Sequence, residues 1–395
     1  MKSSTRSPSG RSRLALLALL AGLFLAAVPA GATPPRLARR SAAEGSDPSA
    51  YWTRERMLAA RPAPMPEPAA DVVPAENGIA GPVVSEPGSA PTLHLPPEAV
   101  PAALEEEDDA DGDAAAAAPE SAVADSAGVS VPAFAGTSGC HFSSSRLNPR
   151  TIDVKYPYGA VGKLFFTKPG VGDFVCSGAV LRRRIVLTAG HCVHAGNGLQ
   201  SGYFTNFLFC PAYRGGPSAK YGCWGWTGVG TTSPWWVSNN VFPNASDFGM
   251  IEIQDRVIGG VTRRIGDLTG YFGYATSSLT ANHVHLLGYP VDFSSGARMH
   301  EVASGRCTTG GNNSERYGSD MRGGSSGGPW VQDFGVPASG QTVGPSGPNL
   351  IVGVTSYANV STDPKYQGSS IPDANFTNLL TVICNRDVTP PANCF

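Results

Sequence analysis

The chain has 395 residues, and its formal net charge of −2 at pH 7 gives no reason to expect a polyanionic or strongly acidic partner. Residues 1–135 hold 18 of the 34 prolines, one of the six tryptophans and none of the eight cysteines. Only the remainder can bury a core, which leaves roughly 250 residues for one compact unit or two small lobes packed together. The basic patch that a nucleic-acid binder needs is missing from the sequence.

Lys2, Arg6, Arg11 and Arg13 precede the apolar run from Leu14 to Val28, and Ala30-Gly31-Ala32 suits a signal peptidase cutting after Ala32. Residues 1–32 therefore read as a signal peptide. The apolar run is shorter than the roughly 20 residues of a spanning helix. The mature protein is expected to be secreted and extracellular, with no stable membrane association after signal removal. The even number of cysteines agrees with an oxidising compartment.

Residues 33–135 are rich in Ala, Pro and acidic groups, with an acidic run from Glu105 to Asp113 followed by five alanines. Such a stretch buries too little apolar surface to offset its ordering entropy and is expected to be mostly disordered. It is read as a propeptide or linker; the propeptide reading makes the chain a zymogen. Tyr51 to Ala59 is its one candidate ordered piece, a short helix.

Residues 136–395 are the predicted folded domain. Short apolar segments separated by Gly, Pro, Asn and Ser predict strands over Gly162–Thr167, Phe174–Val180, Arg184–Thr188 and Phe248–Ile253. His283–Tyr289, Gly328–Val331 and Leu350–Tyr357 continue the series, and one helix is expected over Ala374–Cys384. Many short strands with turn-rich connections predict an all-β sandwich or barrel.

The chemistry concentrates in two places. In Gly324-Ser325-Ser326-Gly327-Gly328-Pro329 the glycines permit a tight backbone path that aims the N–H groups of Gly324 and Ser326 at a developing oxyanion. The same hexapeptide fits the nucleophile elbow of α/β-hydrolases, but those enzymes place their histidine after the serine. None of the seven histidines follows Ser326, so a base must come from upstream. Thr188-Ala189-Gly190-His191-Cys192 supplies one, at the end of the apolar strand Ile185-Val186-Leu187. No His-Glu-x-x-His or paired Cys-x-x-Cys accompanies it, so no metal is expected.

Cys176-Ser177-Gly178-Ala179-Val180 with Leu187 to Cys192 resembles the first signature of chymotrypsin-like serine peptidases. Gly324 to Pro329 resembles the second, and Val352 to Tyr357 the strand after it. The resemblance covers roughly residues 155–385 and implies a double β-barrel with its site in the cleft. It further implies a Cys176–Cys192 disulfide and a Ser326–His191 pair completed by an aspartate between them in sequence. Asp247, after a loop and before an apolar strand, is the candidate, with Asp255 and Asp267 as rivals.

The expected function is endopeptide hydrolysis of protein or peptide substrates through an acyl-enzyme, by a monomer needing no cofactor and binding no nucleic acid. A catalytically silent relative acting as a binding module is the alternative. Leu287-Gly288-Tyr289-Pro290 and Asp320 to Gly324 resemble the bacterial glutamyl-endopeptidase branch. Ser325 stands where the trypsin-like branch carries an aspartate, so that branch's activation switch is not expected here. Asp320, Thr355, Ser356 and Tyr357 are the candidate substrate-binding residues. Thr355 stands where glutamyl-specific relatives have a histidine, which leaves the preferred side chain open. Cys210 and Cys223 are close enough to pair, and Cys140, Cys307, Cys384 and Cys394 allow three connectivities.

Overall fold

A computed structural model describes residues 1, 34–40, 48–68, 83–93, 140–335, 347–359, 364–386 and 394. The signal segment from residue 2 to 32 and the acidic run 105–113 lie outside the described residues. The amino-terminal part contributes β1 (Arg36–Arg39), α1 (Pro48–Tyr51), α2 (Arg54–Ala59), β2 (Arg61–Pro62), β3 (Ser85–Glu86) and β4 (Phe142–Arg146).

The first large sheet is built from β5 (Val161–Lys168), β6 (Gly172–Arg182), β7 (Ile185–Thr188), β8 (Thr205–Pro211), β9 (Trp224–Thr231) and β10 (Gly249–Ile253). Their order is β9-β10-β7-β6-β5-β8, and β8 pairs back onto the start of β9, so the ring closes into a six-stranded barrel. The β-branched and aliphatic run of β7 is buried at all four positions. That leaves polar chemistry only where the strand ends. A short α3 (Ser233–Trp236) sits between β9 and β10.

A hairpin of β11 (Arg256–Ile258) and β12 (Val261–Arg263) turns through Gly259 and Gly260, both at positive φ. After α4 (Ile265–Thr269), the second sheet uses β13 (Gly273–Ala275), β14 (His283–Gly288), β15 (His300–Gly311), β16 (Ser314–Gly318), β17 (Pro329–Gln332), β18 (Leu350–Val354), β19 (Tyr357–Asn359) and β20 (Tyr366–Ser370). Its main path, β20-β16-β15-β14-β17-β18, curls until its ends meet: Val354 N donates to Ser369 Oγ at 2.9 Å. The result is the double β-barrel that the resemblance implies. α5 (Ala374–Cys384) follows the second sheet, its first turn capped by the Asp373 carboxylate accepting from Asn375 N and Phe376 N.

Two local expectations change. The Leu350–Tyr357 strand is interrupted: Thr355 N turns to Gly328 O and Ser356 N to Gly368 O before pairing resumes in β19. The break brings this segment across to the loop carrying Ser326. Residues 33–135 also hold more order than composition implied. β1 adds antiparallel to β9, β2 parallel to β6, and β3 antiparallel to β13. The expected helix splits into α1 and α2 around Trp52, which is buried with Met57 and Ala63 in the main core. Low average hydrophobicity still permits docking where unfilled strand edges take a few backbone bonds and isolated apolar side chains fill gaps.

All eight cysteines are paired, as Cys140–Cys307, Cys176–Cys192, Cys210–Cys223 and Cys384–Cys394. Among the described residues, no helix is long and apolar enough to cross a membrane.

Candidate active site

His191 lies in the single turn Gly190–Cys192 that follows β7, and Asp247 lies just before β10. The pairing of β7 with β10, Gly249 opposite Thr188, brings the two ends together. Asp247 Oδ2 is 2.7 Å from His191 Nδ1, and Oδ1 accepts from His191 N at 2.8 Å. Both side chains are buried. Gly190 explains how they approach: a Cβ there would lie 2.9 Å from Asp247 Oδ1 and 2.6 Å from Trp235 Cγ.

Trp235 and Phe242 stand edge-on to the imidazole, with ring centroids 6.0 and 5.5 Å away. The rivals Asp255 and Asp267 are instead held by Arg184 at 2.6 Å and Arg183 at 2.8 Å.

Ser326 sits on the loop before β17, in the second barrel, and crosses to the first. Its carbonyl accepts from Ser177 N at 2.7 Å, next to the Cys176–Cys192 disulfide beside His191. Ser177 Oγ in turn donates to Gly324 O at 2.9 Å. Gly324 has φ +93° and Gly327 φ +78°, conformations that side-chain-bearing residues rarely adopt. Within the loop, Ser325 N donates to Arg322 O, Gly327 N to Thr355 O and Gly328 N to Ser325 O. The N–H groups of Gly324 and Ser326 carry no such bond among the described residues. Ser325 Oγ is committed inward, donating to Arg322 O and accepting from Gln367 Nε2.

The candidate substrate-binding residues separate on inspection. Ser356 Oγ donates to Asp247 Oδ2 at 2.6 Å, so its hydroxyl serves the carboxylate. Thr355 Oγ1 accepts from Trp330 Nε1 at 3.0 Å, and Tyr357 OH is 2.9 Å from Ser314 Oγ. Both side chains are enclosed, which leaves backbone as what this strand can offer. Asp320 is half-buried and accepts from Ser144 Oγ at 2.7 Å. That hydroxyl also lies 2.6 Å from His300 Nε2. Burial pulls the His300 pKa below its ordinary value, and Phe293 stacks on its ring at 4.0 Å. The cysteines flanking His191 are joined in a disulfide and have no thiolates to give a metal.

Sequence reasoning missed Ser177, the Ser356 hydroxyl and Ser370, whose Oγ accepts from Asp247 N at 2.9 Å. It also missed Met65. Ser326 Oγ lies 3.9 Å from Met65 Sδ, and His191 Nε2 is buried without a hydrogen-bond partner among the described residues. No pattern around Met65 signals this contact, because it joins residues 261 positions apart.

No protein-family model matches the chain. It is 31% identical over 181 residues to a glutamyl endopeptidase of Bacillus licheniformis, a match covering 45% of this chain. The chain thus spans about half the length, 50%, of the curated relative it matches. The crystal structure of a thermostable serine protease from an extremophilic microorganism is similar at 25% identity and TM-score 0.47, over 57% of this chain and 96% of that one. That of protease Anisep from Arthrobacter nicotinovorans aligns at 25% identity and TM-score 0.45, over 56% and 96%. A Glu endopeptidase structure aligns at 20% identity and TM-score 0.44, over 60% and 94%. The chain is thus similar, over about half of its length, to a bacterial glutamyl endopeptidase, and it folds as a mostly β double barrel.

Proposed function

We propose that the chain is a secreted serine endopeptidase, with Ser326 as nucleophile, His191 as general base and Asp247 as the group that orients the imidazole. The observation that carries this reading is the buried Asp247–His191 pair at 2.7 Å, with the Ser326 loop packed on the turn before it: a Cβ at Gly327 would lie 2.8 Å from Ala189 N. In the proposed reaction His191 Nε2 takes the Ser326 proton as Oγ bonds to the scissile carbonyl carbon. The carbonyl oxygen becomes an oxyanion received by the N–H groups of Gly324 and Ser326. His191 then protonates the departing amine. Water, deprotonated in turn by His191, hydrolyses the acyl-enzyme and restores Ser326.

Asp247 keeps its negative charge and stabilises the imidazolium; three donors, His191 N, His191 Nδ1 and Ser356 Oγ, hold it in place. The acyl half of the substrate would extend along Ser356–Ala358, and the leaving half towards β6. Pairing along a strand edge reads backbone more than side chain. Among the candidate residues for side-chain selection, Asp320 is the charged one.

Labelling of the processed protein by a fluorophosphonate probe tests the assignment. Ser326 should label, and Ser326→Ala should not. Equal labelling of the two, or none of either, would instead favour a silent homologue used for binding. Profiling cleavage on a mixed peptide library, with the parent and with Asp320→Asn, then reads the side-chain preference and whether Asp320 sets it.

A further inference from the structure

We propose that residues 61–66 form an autoinhibitory strap that fills the substrate cleft backwards and keeps Ser326 latent until the strap is removed. This rests on the peptidase reading above. The strap is placed by contacts at both ends and in the middle. At one end β2 lies parallel to Phe174–Val175 of β6, and Ala63 N donates to Val175 O at 2.9 Å. At the other, Pro66 O accepts from Ala358 N at 2.9 Å, on the edge of β19 not used by β20. Between them Ala63 O and Pro62 press on Gly323, where an added Cβ would lie 3.0 Å from that oxygen. Met65 Sδ stands 3.9 Å from Ser326 Oγ.

Three features make this segment an occupant that is not a substrate. The group offered to Ser326 Oγ is a thioether sulfur, which has no carbonyl carbon to attack. The chain runs from β6 to β19, whereas a productive peptide with its acyl half on Ser356–Ala358 runs from β19 to β6. Its amide units therefore run with polarity opposite to that of a productive peptide.

The sequence Arg61-Pro62-Ala63-Pro64-Met65-Pro66-Glu67-Pro68 also places proline at every second position. These residues have no N–H to give a β-pairing partner and are held near the extended polyproline conformation, so little entropy is lost in docking them. The strap thus binds through the short β2–β6 pairing, the bond from Ala358 N to Pro66 O and its side chains, and denies the cleft a register of N–H donors. With Ser326 and His191 both buried beneath it, even a small electrophile has to wait for it to open.

The test compares Ser326 labelling by a fluorophosphonate in the full chain, in Met65→Gly and Ala63→Pro variants of it, and in protein cut after residue 68. Ala63→Pro removes the N–H donated to Val175 O without touching the site. A strap closed nine-tenths of the time or more slows the full chain by about 10-fold or more relative to the cut form. Both variants should recover most of that difference, with near-ultraviolet circular dichroism unchanged. Labelling of the full chain at the rate of the cut form overturns the strap while leaving the peptidase reading intact. A slow full chain whose two folded variants stay equally slow also overturns it. Absence of labelling in every form, the cut one included, overturns the peptidase reading and the strap with it.

Discussion

Ser356→Ala isolates one hydrogen bond. The Ser356 hydroxyl lies 2.6 Å from Asp247 Oδ2, and both residues are fully buried, so solvent does not replace the lost donor. A hydrogen bond to a charged group contributes about 1.5–3 kcal/mol. If its loss is felt mainly when the imidazolium forms, the rate falls about 10- to 100-fold, since each 1.4 kcal/mol is a factor of ten. The two bonds from His191 remain, so the loss should be smaller than the roughly 10⁴-fold typical when such an aspartate becomes asparagine.

The Ser356 backbone N–H still reaches Gly368 O, so the strand keeps its course and KM should change little. The assay is steady-state hydrolysis of a fluorogenic protein substrate by the processed form, with Ser326 active-site titration to count competent molecules. A kcat equal to that of the parent, or a loss confined to KM, would refute the view that Ser356 holds the carboxylate.

Three further substitutions test the scaffold. Gly190→Ala forces a methyl to within 2.6 Å of Trp235 Cγ, and should cost about 1–3 kcal/mol in thermal unfolding and slow Ser326 labelling as well. Unchanged values for both would show that the turn has slack. Lys163 is buried against Gly296 O, and burial lowers its pKa to about 8, below the unfolded value. The unfolded chain therefore binds the extra proton between about pH 8 and 10.4, so this group makes stability rise with pH across that window. Lys163→Met should stabilise the protein by about 2 kcal/mol at pH 7, with the advantage shrinking towards pH 10; a constant difference across that range would contradict the burial argument. Asp373→Ala removes the cap of α5 and should lower the urea midpoint by an amount worth about 1 kcal/mol with the slope unchanged.

The strands around the site were legible because their signals are local. Ile185-Val186-Leu187 could be read as a buried strand, and its end marks the turn that carries His191. The helix over Ala374–Cys384 begins and ends where its pattern said, since Asp373 supplies a recognisable cap. The link between Asp247 and Ser356 was not legible. Ser356 read as part of a continuous strand because it follows the apolar run Leu350–Val354, and nothing local says that the strand breaks to feed a carboxylate 109 residues away. Strand Phe142–Arg146 escaped notice for another reason: the run Ser143 to Ser145 has no apolar alternation, and pairing with β15 supplies its backbone bonds. The Arg61–Pro68 stretch looked unstructured because it offers too little apolar surface to offset its ordering entropy. A strap docked by a short strand pairing and a backbone bond at its far end needs no more than that.

The support of Asp247 has a consequence for how the molecule matures. Its carboxylate meets His191 within the first barrel, but a second-barrel hydroxyl, Ser356 Oγ, and the Ser370 hydroxyl at its backbone N–H complete its surroundings. Neither half of the chain, folded alone, owns a finished site. On the proposed reading, competence becomes a logical conjunction of two docking events, and a misassembled or half-made molecule lacks a finished site.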